Sequence, residues 1–280
     1  MKVHHLNCGS MCPWGRRWLS GEGAWFAPAH LCCHCLLIEG KQGLILVDTG
    51  LGTGDVSDPP RLGKAFNLLV RPRLQMSDTA LHQIRELGLD PRDVQHIVPT
   101  HLDLDHAGGL SDFPRAQVHV HTQELSAALR RSTWRERDRY VPAQWAHEPD
   151  WVTHQVGGER WLGFEAVQAL PGTDEEVLLV PLPGHTRGHC GVAVRQGGGW
   201  LLHCGDAYFH HGEMQASPQC PPGLRMFQWL VQMDGPSRLA NQARLHALKQ
   251  THGHEVTLFC AHDPTELAAL QREAAFRTPQ

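Results

Sequence analysis

Short apolar runs that stop abruptly at a polar residue dominate the pattern of this chain. Residues 44–47 end in Asp48-Thr49-Gly50, 94–98 in Pro99-Thr100-His101, 179–183 in Gly184-His185, 200–204 in Gly205-Asp206 and 256–260 in Ala261-His262. Runs this short, rich in Val, Ile and Leu, read as buried strands, and loops leaving strands are where sheet-based folds carry their chemistry. The segment 3–7 begins a sheet, and 31–38 pairs with 44–47 through a glycine-containing turn. Leu81, Ile84 and Leu87 have helical spacing over 79–87, with Ser77 or Asp78 as a cap and Gly88 closing the helix. A strand at 116–120 precedes a helix at 123–131; strands follow near Val177, Val192, Leu201 and Val256, and amphipathic helices at 237–250 and 265–276. The layout is two βα halves. Periodicity supports α/β or α+β and goes no further.

The densest chemistry is the run from Thr100 to Gly109, THLDLDHAGG, where His101, Asp103, Asp105 and His106 place four potential metal ligands within six residues. On a helix these positions would scatter around the axis. A loop leaving the 94–98 strand can turn all four toward one point. His185, Asp206 and His262 each stand just past another apolar run, as strand-end ligands would.

With these residues in this order, the chain resembles the metallo-β-lactamase superfamily from about His34 to about Glu266. That family shares an Asp, then His-x-His-x-Asp-His, then His, Asp and His, each at the end of a strand. The resemblance implies a four-layer αββα sandwich, an α+β fold, as a single domain over 1–280. It implies a metal set of His101, Asp103, Asp105, His106, His185, Asp206 and His262, with Asp206 bridging two metals and Asp48 supporting the site without binding. The expected cofactors are two divalent metal ions, zinc first, with iron or manganese as alternatives.

One departure matters. The motif here is His-x-Asp-x-Asp-His, so Asp103 stands where most relatives carry histidine. Three carboxylates and a bridging hydroxide would balance the four positive charges of two cations. The expected site is nearly neutral, acidifies its water less than a His-rich relative, and tolerates harder metals better.

Composition narrows the class. The formal charge of −4 argues against a broad nucleic-acid surface. No apolar run reaches the ~18 residues of a membrane span, and the start of the chain lacks a secretory apolar core. Nine cysteines in a chain of 280 residues form no disulfide framework. Cys33 and Cys35 alternate with Leu37 on one strand face, as buried hydrophobes, and the thiols suit a reducing cytoplasm. Segments 14–28 and 132–161, with Trp14, Trp18, Trp25, Trp134, Tyr140, Trp145 and Trp151 and no clear period, read as lid loops; 210–223 reads as a loop near the site's mouth.

The implied chemistry is hydrolysis by a metal-bridging hydroxide. Asp105 would orient the hydroxide and pass a proton to the leaving group, His189 would support a ligand, and the Tyr208 hydroxyl would reach a substrate carbonyl or else pack beneath the sheet. The hairpin HCLLIE…LVDTG and the stretch GDAY are most similar to the lactonase branch, which points to a small-molecule lactone or other carboxylic ester. A binuclear lactonase or esterase is therefore expected, with no nucleic-acid or membrane partner and a homodimer left open. Two other classes stay open on the Asp103 departure: a ligand-binding sensor with little or no turnover, and an iron-dependent redox enzyme.

Overall fold

The computed structural model describes residues 1–155, 157–170, 173 and 176–277. The strands in chain order are β1 (Lys2–Met11), β2 (Leu31–Gly40), β3 (Gly43–Val47), β4 (Pro72–Arg73), β5 (Val94–Val98), β6 (Gln117–His121) and β7 (Asp150–His154). They continue with β8 (Glu159–Trp161), β9 (Phe164–Ala169), β10 (Val177–Pro181), β11 (Cys190–Gln196), β12 (Gly199–His203) and β13 (Val256–Phe259). The helices are α1 (Arg16–Ser20), α2 (Thr53–Ser57), α3 (Lys64–Leu69), α4 (Ala80–Glu86), α5 (Thr122–Arg130), α6 (Trp134–Arg139), α7 (Pro222–Val231), α8 (Gly235–His252) and α9 (Pro264–Arg277). One sheet has the order β4-β1-β2-β3-β5-β6-β7 and the other β13-β12-β11-β10-β9-β8.

Alternation along the strands builds the layers. On β2, Leu36 and Ile38 join Ile45, Val47, Val177, Leu179, Val192 and Val194 in a core between the two sheets. Their neighbours Cys35 and Leu37 face the other way, into a core closed by Ile84 of α4 and by Ala127 and Ala128 of α5. On the far side, Leu202 and Leu258 pack under Leu245 and Leu248 of α8. The result is the expected αββα sandwich. Each fully buried aliphatic side chain contributes roughly 1.5–3 kcal/mol, so both faces of both sheets stabilise the fold.

Strand direction decides where the site forms. β3 and β5 are parallel neighbours, so Asp48 and His101 leave the sheet at the same edge. β12 and β13 are also parallel, which brings Asp206 and His262 out together. β10 runs antiparallel to β11, and β11 to β12, so the loop carrying His185 emerges at that same end.

Several expectations need correction. The second half is not a repeat of the βα scheme: from β8 to β12 its strands are antiparallel, and only β12 and β13 pair in parallel. The segment 132–161 is not one irregular lid. It supplies α6, then β7 paired in parallel with β6, then β8, and its Trp145 and Trp151 pack against the outer core. The segment 14–28 holds α1 and closes with a bridge between Trp14 and Pro28. α7 begins at Pro222, where the sequence suggested only a loop. Helix α4 is capped by Thr79, whose side chain accepts from the His82 amide, while Ser77 and Asp78 form a preceding 3₁₀ turn. No helix among the described residues is long and apolar enough to cross a membrane.

Candidate metal centre

The loop after β5 wraps so that His101, Asp103, Asp105 and His106 converge with His185, Asp206 and His262. Two clusters of donor atoms result, and Asp206 belongs to both. Its Oδ2 lies 3.4 Å from His185 Nε2 and 3.9 Å from His101 Nε2. Its Oδ1 lies 3.3 Å from His106 Nε2 and 3.1 Å from His262 Nε2. Asp103 Oδ2 completes the first cluster, 3.0 Å from His185 Nε2 and 3.5 Å from His101 Nε2. Asp105 Oδ2 completes the second, 3.6 Å from His262 Nε2 and 4.0 Å from His106 Nε2.

The surrounding hydrogen bonds fix which ring nitrogen faces the centre. Asp48 holds the His106 Nδ1–H at 2.8 Å, and the Cys32 carbonyl holds the His262 Nδ1–H at 2.7 Å. Thr100 Oγ1 donates to Asp48 and so accepts from His101 Nδ1, 3.0 Å away. In all three rings Nε2 is left with its lone pair toward the cluster, as metal-ligating histidines require. His189 donates from Nδ1 to the Leu182 carbonyl and accepts the Asp206 amide on Nε2 at 2.9 Å, so it positions the backbone of Asp206. Burial, together with the nearby His101 and His185, holds the His189 imidazole well below its usual range, which keeps it a neutral acceptor. Gly205, just before Asp206, has a φ of +52°, and a Cβ there would sit 2.5 Å from His189 Nε2. Only glycine fits that approach.

The donor set fits a pair of divalent cations. His101 Nε2 and Asp206 Oδ1 are buried without a hydrogen-bond partner. Leaving such atoms unpaired is costly unless a cation takes them up. Carboxylates and imidazoles in this mixture are the ligand types of zinc and related metals.

Two residues that the sequence reading missed hold this arrangement together. Glu124 on α5 is fully buried and accepts from the Leu102 amide, the Gly188 amide, the Thr186 hydroxyl and the Tyr140 hydroxyl. It ties the loop of His101 to the loop of His185. Its only sequence signal is an acid on the face of α5 that also presents Ala127 and Ala128, which is weak. The second is Arg139, at the end of α6. Its Nη1 lies 3.4 Å from Asp103 Oδ1 and donates to the His185 carbonyl at 3.2 Å, while Nη2 donates to the Val231 carbonyl. Burial would raise the Asp103 carboxyl, but the Arg139 charge and the neighbouring His101 and His185 rings hold it well below the usual carboxylate range. The charge balance expected from the motif therefore changes. Arg139 places beside Asp103 a positive charge that the motif alone does not record.

Tyr208 is corrected. Its ring is fully buried in the core under α8, and its hydroxyl donates to Glu266 at 3.0 Å. The next residue, Phe209, takes the position by the cluster instead, stacking on His262 with ring centroids 5.2 Å apart. Asp103, Asp105, His185, Asp206 and His262 form the floor of a cavity of about 630 Å³. Its walls are mostly apolar: Leu62, Phe66, Leu104 and Val141 on one side, Phe227 and Leu230 of α7 on the other. Of the two presumed lids, 132–161 lends Trp134 and Tyr140 to this lining and 14–28 lends Leu19; among the described residues the tryptophans of 14–28 lie outside it.

Comparison with known proteins agrees with this geometry. The chain is 43% identical over 275 residues to a Mycobacterium tuberculosis protein named as a probable metallo-hydrolase, covering 98% of this chain and 84% of that one. It is 27% identical over 171 residues to an N-acyl homoserine lactonase of Bacillus thuringiensis, covering 60% of this chain and 61% of the relative. A crystal structure of a B. thuringiensis AiiA variant, with N-decanoyl-L-homoserine bound at its active site, superposes with a TM-score of 0.71 at 21% identity, covering 96% and 95% of the two chains. The family model of the metallo-beta-lactamase superfamily matches residues 32–262, and the chain belongs to that superfamily.

Proposed function

We propose that the protein is a binuclear metallohydrolase that opens lactones or cleaves other carboxylic esters bearing an apolar acyl group. The observation that carries this reading is the juxtaposition of a seven-residue His/Asp centre with a mostly apolar cavity of about 630 Å³ opening onto it. That volume is in the range of small-molecule sites, and the walls offer an alkyl chain little hydrogen-bonding competition. Membership of a hydrolase superfamily and the likeness to homoserine lactonases support it.

Bound divalent cations would supply a nucleophilic hydroxide near neutral pH and polarise the substrate carbonyl. His101, Asp103 and His185 would hold one cation, Asp105, His106 and His262 the other, with Asp206 between them. Asp105, at the cavity floor, orients the nucleophile and takes the proton on to the leaving alkoxide. Leu62, Phe66, Leu104 and Val141 seat the acyl chain, and Phe209 fixes the plane of His262. Asp48, His189 and Glu124 hold the ligands in their angles, so little reorganisation is needed as charge develops on the carbonyl oxygen.

The test is metal analysis of the purified protein followed by turnover of N-acyl homoserine lactones of increasing chain length, aryl esters and phosphotriesters. About two metals per chain, lactone or ester turnover that rises with acyl length, and loss on chelation are expected. Asp206→Asn should lose both the second metal and turnover. Two tightly bound metals with no hydrolysis of any ester or lactone would refute the proposal.

A further inference from the structure

We infer that the thiol of Cys33 is a sulfur donor to the second cation position, that of Asp105, His106 and His262, so that the two positions of the centre differ in kind. The inference rests on the binuclear reading above and adds a ligand that the family motif does not contain. Cys33 lies on β2 next to Cys32, whose carbonyl fixes His262. Cys33 Sγ, a carboxylate oxygen of Asp105 and a ring nitrogen of His262 all lie within 4.8 Å of one another. The same His262 also meets Asp206 Oδ1, buried and without a hydrogen-bond partner, 3.1 Å from its Nε2, so oxygen donors and the thiol gather around one imidazole.

Most of the other thiols have partners of a different kind. Cys32, Cys190, Cys204 and Cys220 each donate to a backbone carbonyl, Cys8 accepts from Gln83 Nε2, and Cys260 lies beside the Glu266 carboxyl. Cys35, two residues further along the same face of β2, is enclosed with Leu37 and Leu46 in the outer core. Cys33 is buried, at 2% exposed, and the hydrogen bond found at this residue among the described ones is made by its backbone N–H, to Asn7 Oδ1, not by its thiol. The pleat explains the difference. Side chains at 33, 35 and 37 share a face, and 33 is the one nearest the edge from which the ligand loops emerge.

On coordination the thiol gives its proton to solvent and one sulfur–metal bond forms, with no change of oxidation state. A thiolate selects borderline-soft cations, Zn²⁺ or Co²⁺, over Mn²⁺ and Mg²⁺. The tolerance of harder metals expected from Asp103 then belongs to the first position alone, where His101, Asp103 and His185 offer only nitrogen and oxygen.

The experiment uses the full chain loaded with Co²⁺ for absorption and with Zn²⁺ for X-ray absorption, in wild type, Cys33→Val, Cys33→Ser and Cys32→Val. Wild type and Cys32→Val should show thiolate-to-cobalt charge transfer in the near ultraviolet and a sulfur at about 2.3 Å from zinc. Both Cys33 variants should lose these signals. Only nitrogen and oxygen around two bound metals in the wild type would overturn the inference and leave the binuclear reading standing. Uptake of a single metal, with no sulfur neighbour, would overturn both. Circular dichroism of the metal-free variants establishes that they fold, and the wild-type spectra decide the matter if they do not.

Discussion

Arg139→Met offers the sharpest test of how the Asp103 substitution is accommodated. The guanidinium lies 3.4 Å from Asp103 Oδ1 and bonds two backbone carbonyls. At an effective dielectric of about 20, two charges at that distance attract by about 5 kcal/mol. Removing one partner of such a buried pair costs about 3–5 kcal/mol, because the remaining charge is stranded. That cost applies to the metal-free protein. With cations bound as proposed, Asp103 would be neutralised by its metal, and what would remain is the loss of the two carbonyl bonds, roughly 2 kcal/mol. Met keeps the aliphatic bulk, so little packing is lost. The metal-free variant should therefore melt about 6–20 °C below wild type, at about 2–4 °C per kcal/mol for a domain near this size. The zinc-loaded variant should fall by less, about 4–8 °C. By linkage, the difference of about 1–3 kcal/mol between the two losses should tighten zinc binding at the first position by roughly 5-fold to 100-fold in the variant. The assay is thermal unfolding with and without chelator, alongside zinc titration. Equal losses in both forms, with unchanged affinity, would refute the coupling of Arg139 to the metal position.

Three further outcomes are expected. Tyr208→Phe should leave kcat and KM within about threefold while costing about 1 kcal/mol in urea unfolding, since the hydroxyl bonds Glu266 and not substrate; a hundredfold fall in kcat would return Tyr208 to the reaction. Burial raises the Glu266 carboxyl to about 7 from its ordinary 4.5, with the Cys260 amide and Tyr208 hydroxyl acting against the rise and Asp263 adding to it. The folded state thus holds this proton more tightly, so the contribution is full below about pH 4.5 and is lost as pH rises through about 7. Glu266→Gln should flatten the stability profile across that window, and an unchanged slope in urea unfolding from pH 4.5 to 7 would contradict the shift. Glu124→Leu should cost about 4 kcal/mol or more and reduce metal content, because it strands donors from Leu102, Thr186, Gly188 and Tyr140 together; a stable variant with full metal would show that the two loops do not depend on it.

The sequence by itself made most of the strands and the candidate metal ligands legible, and its family resemblance implied the sandwich. Apolar runs ending at Asp48, His101, Asp206 and His262 record burial on both strand faces, and a loop with four potential ligands in six residues leaves little room for another reading. These are local signals, carried by neighbours in the chain. Only the tertiary structure decided what surrounds that set. Arg139 meets Asp103 from a different segment, Glu124 joins the loop of Leu102 to that of Thr186, 62 residues beyond Glu124, and Cys33 comes near His262 across the sheet edge. Tyr208 illustrates the same limit in reverse: two residues from Asp206 along the chain, its ring turns into the core because the chain leaving β12 directs Phe209 toward His262 instead. β7 escaped the sequence reading for a related reason. As an edge strand it carries charged and exposed positions, and its pairing with β6 comes from distant backbone groups that no periodicity within residues 150–154 records. Charge balance and side-chain direction depend on what packs from other segments, and a linear pattern does not encode that.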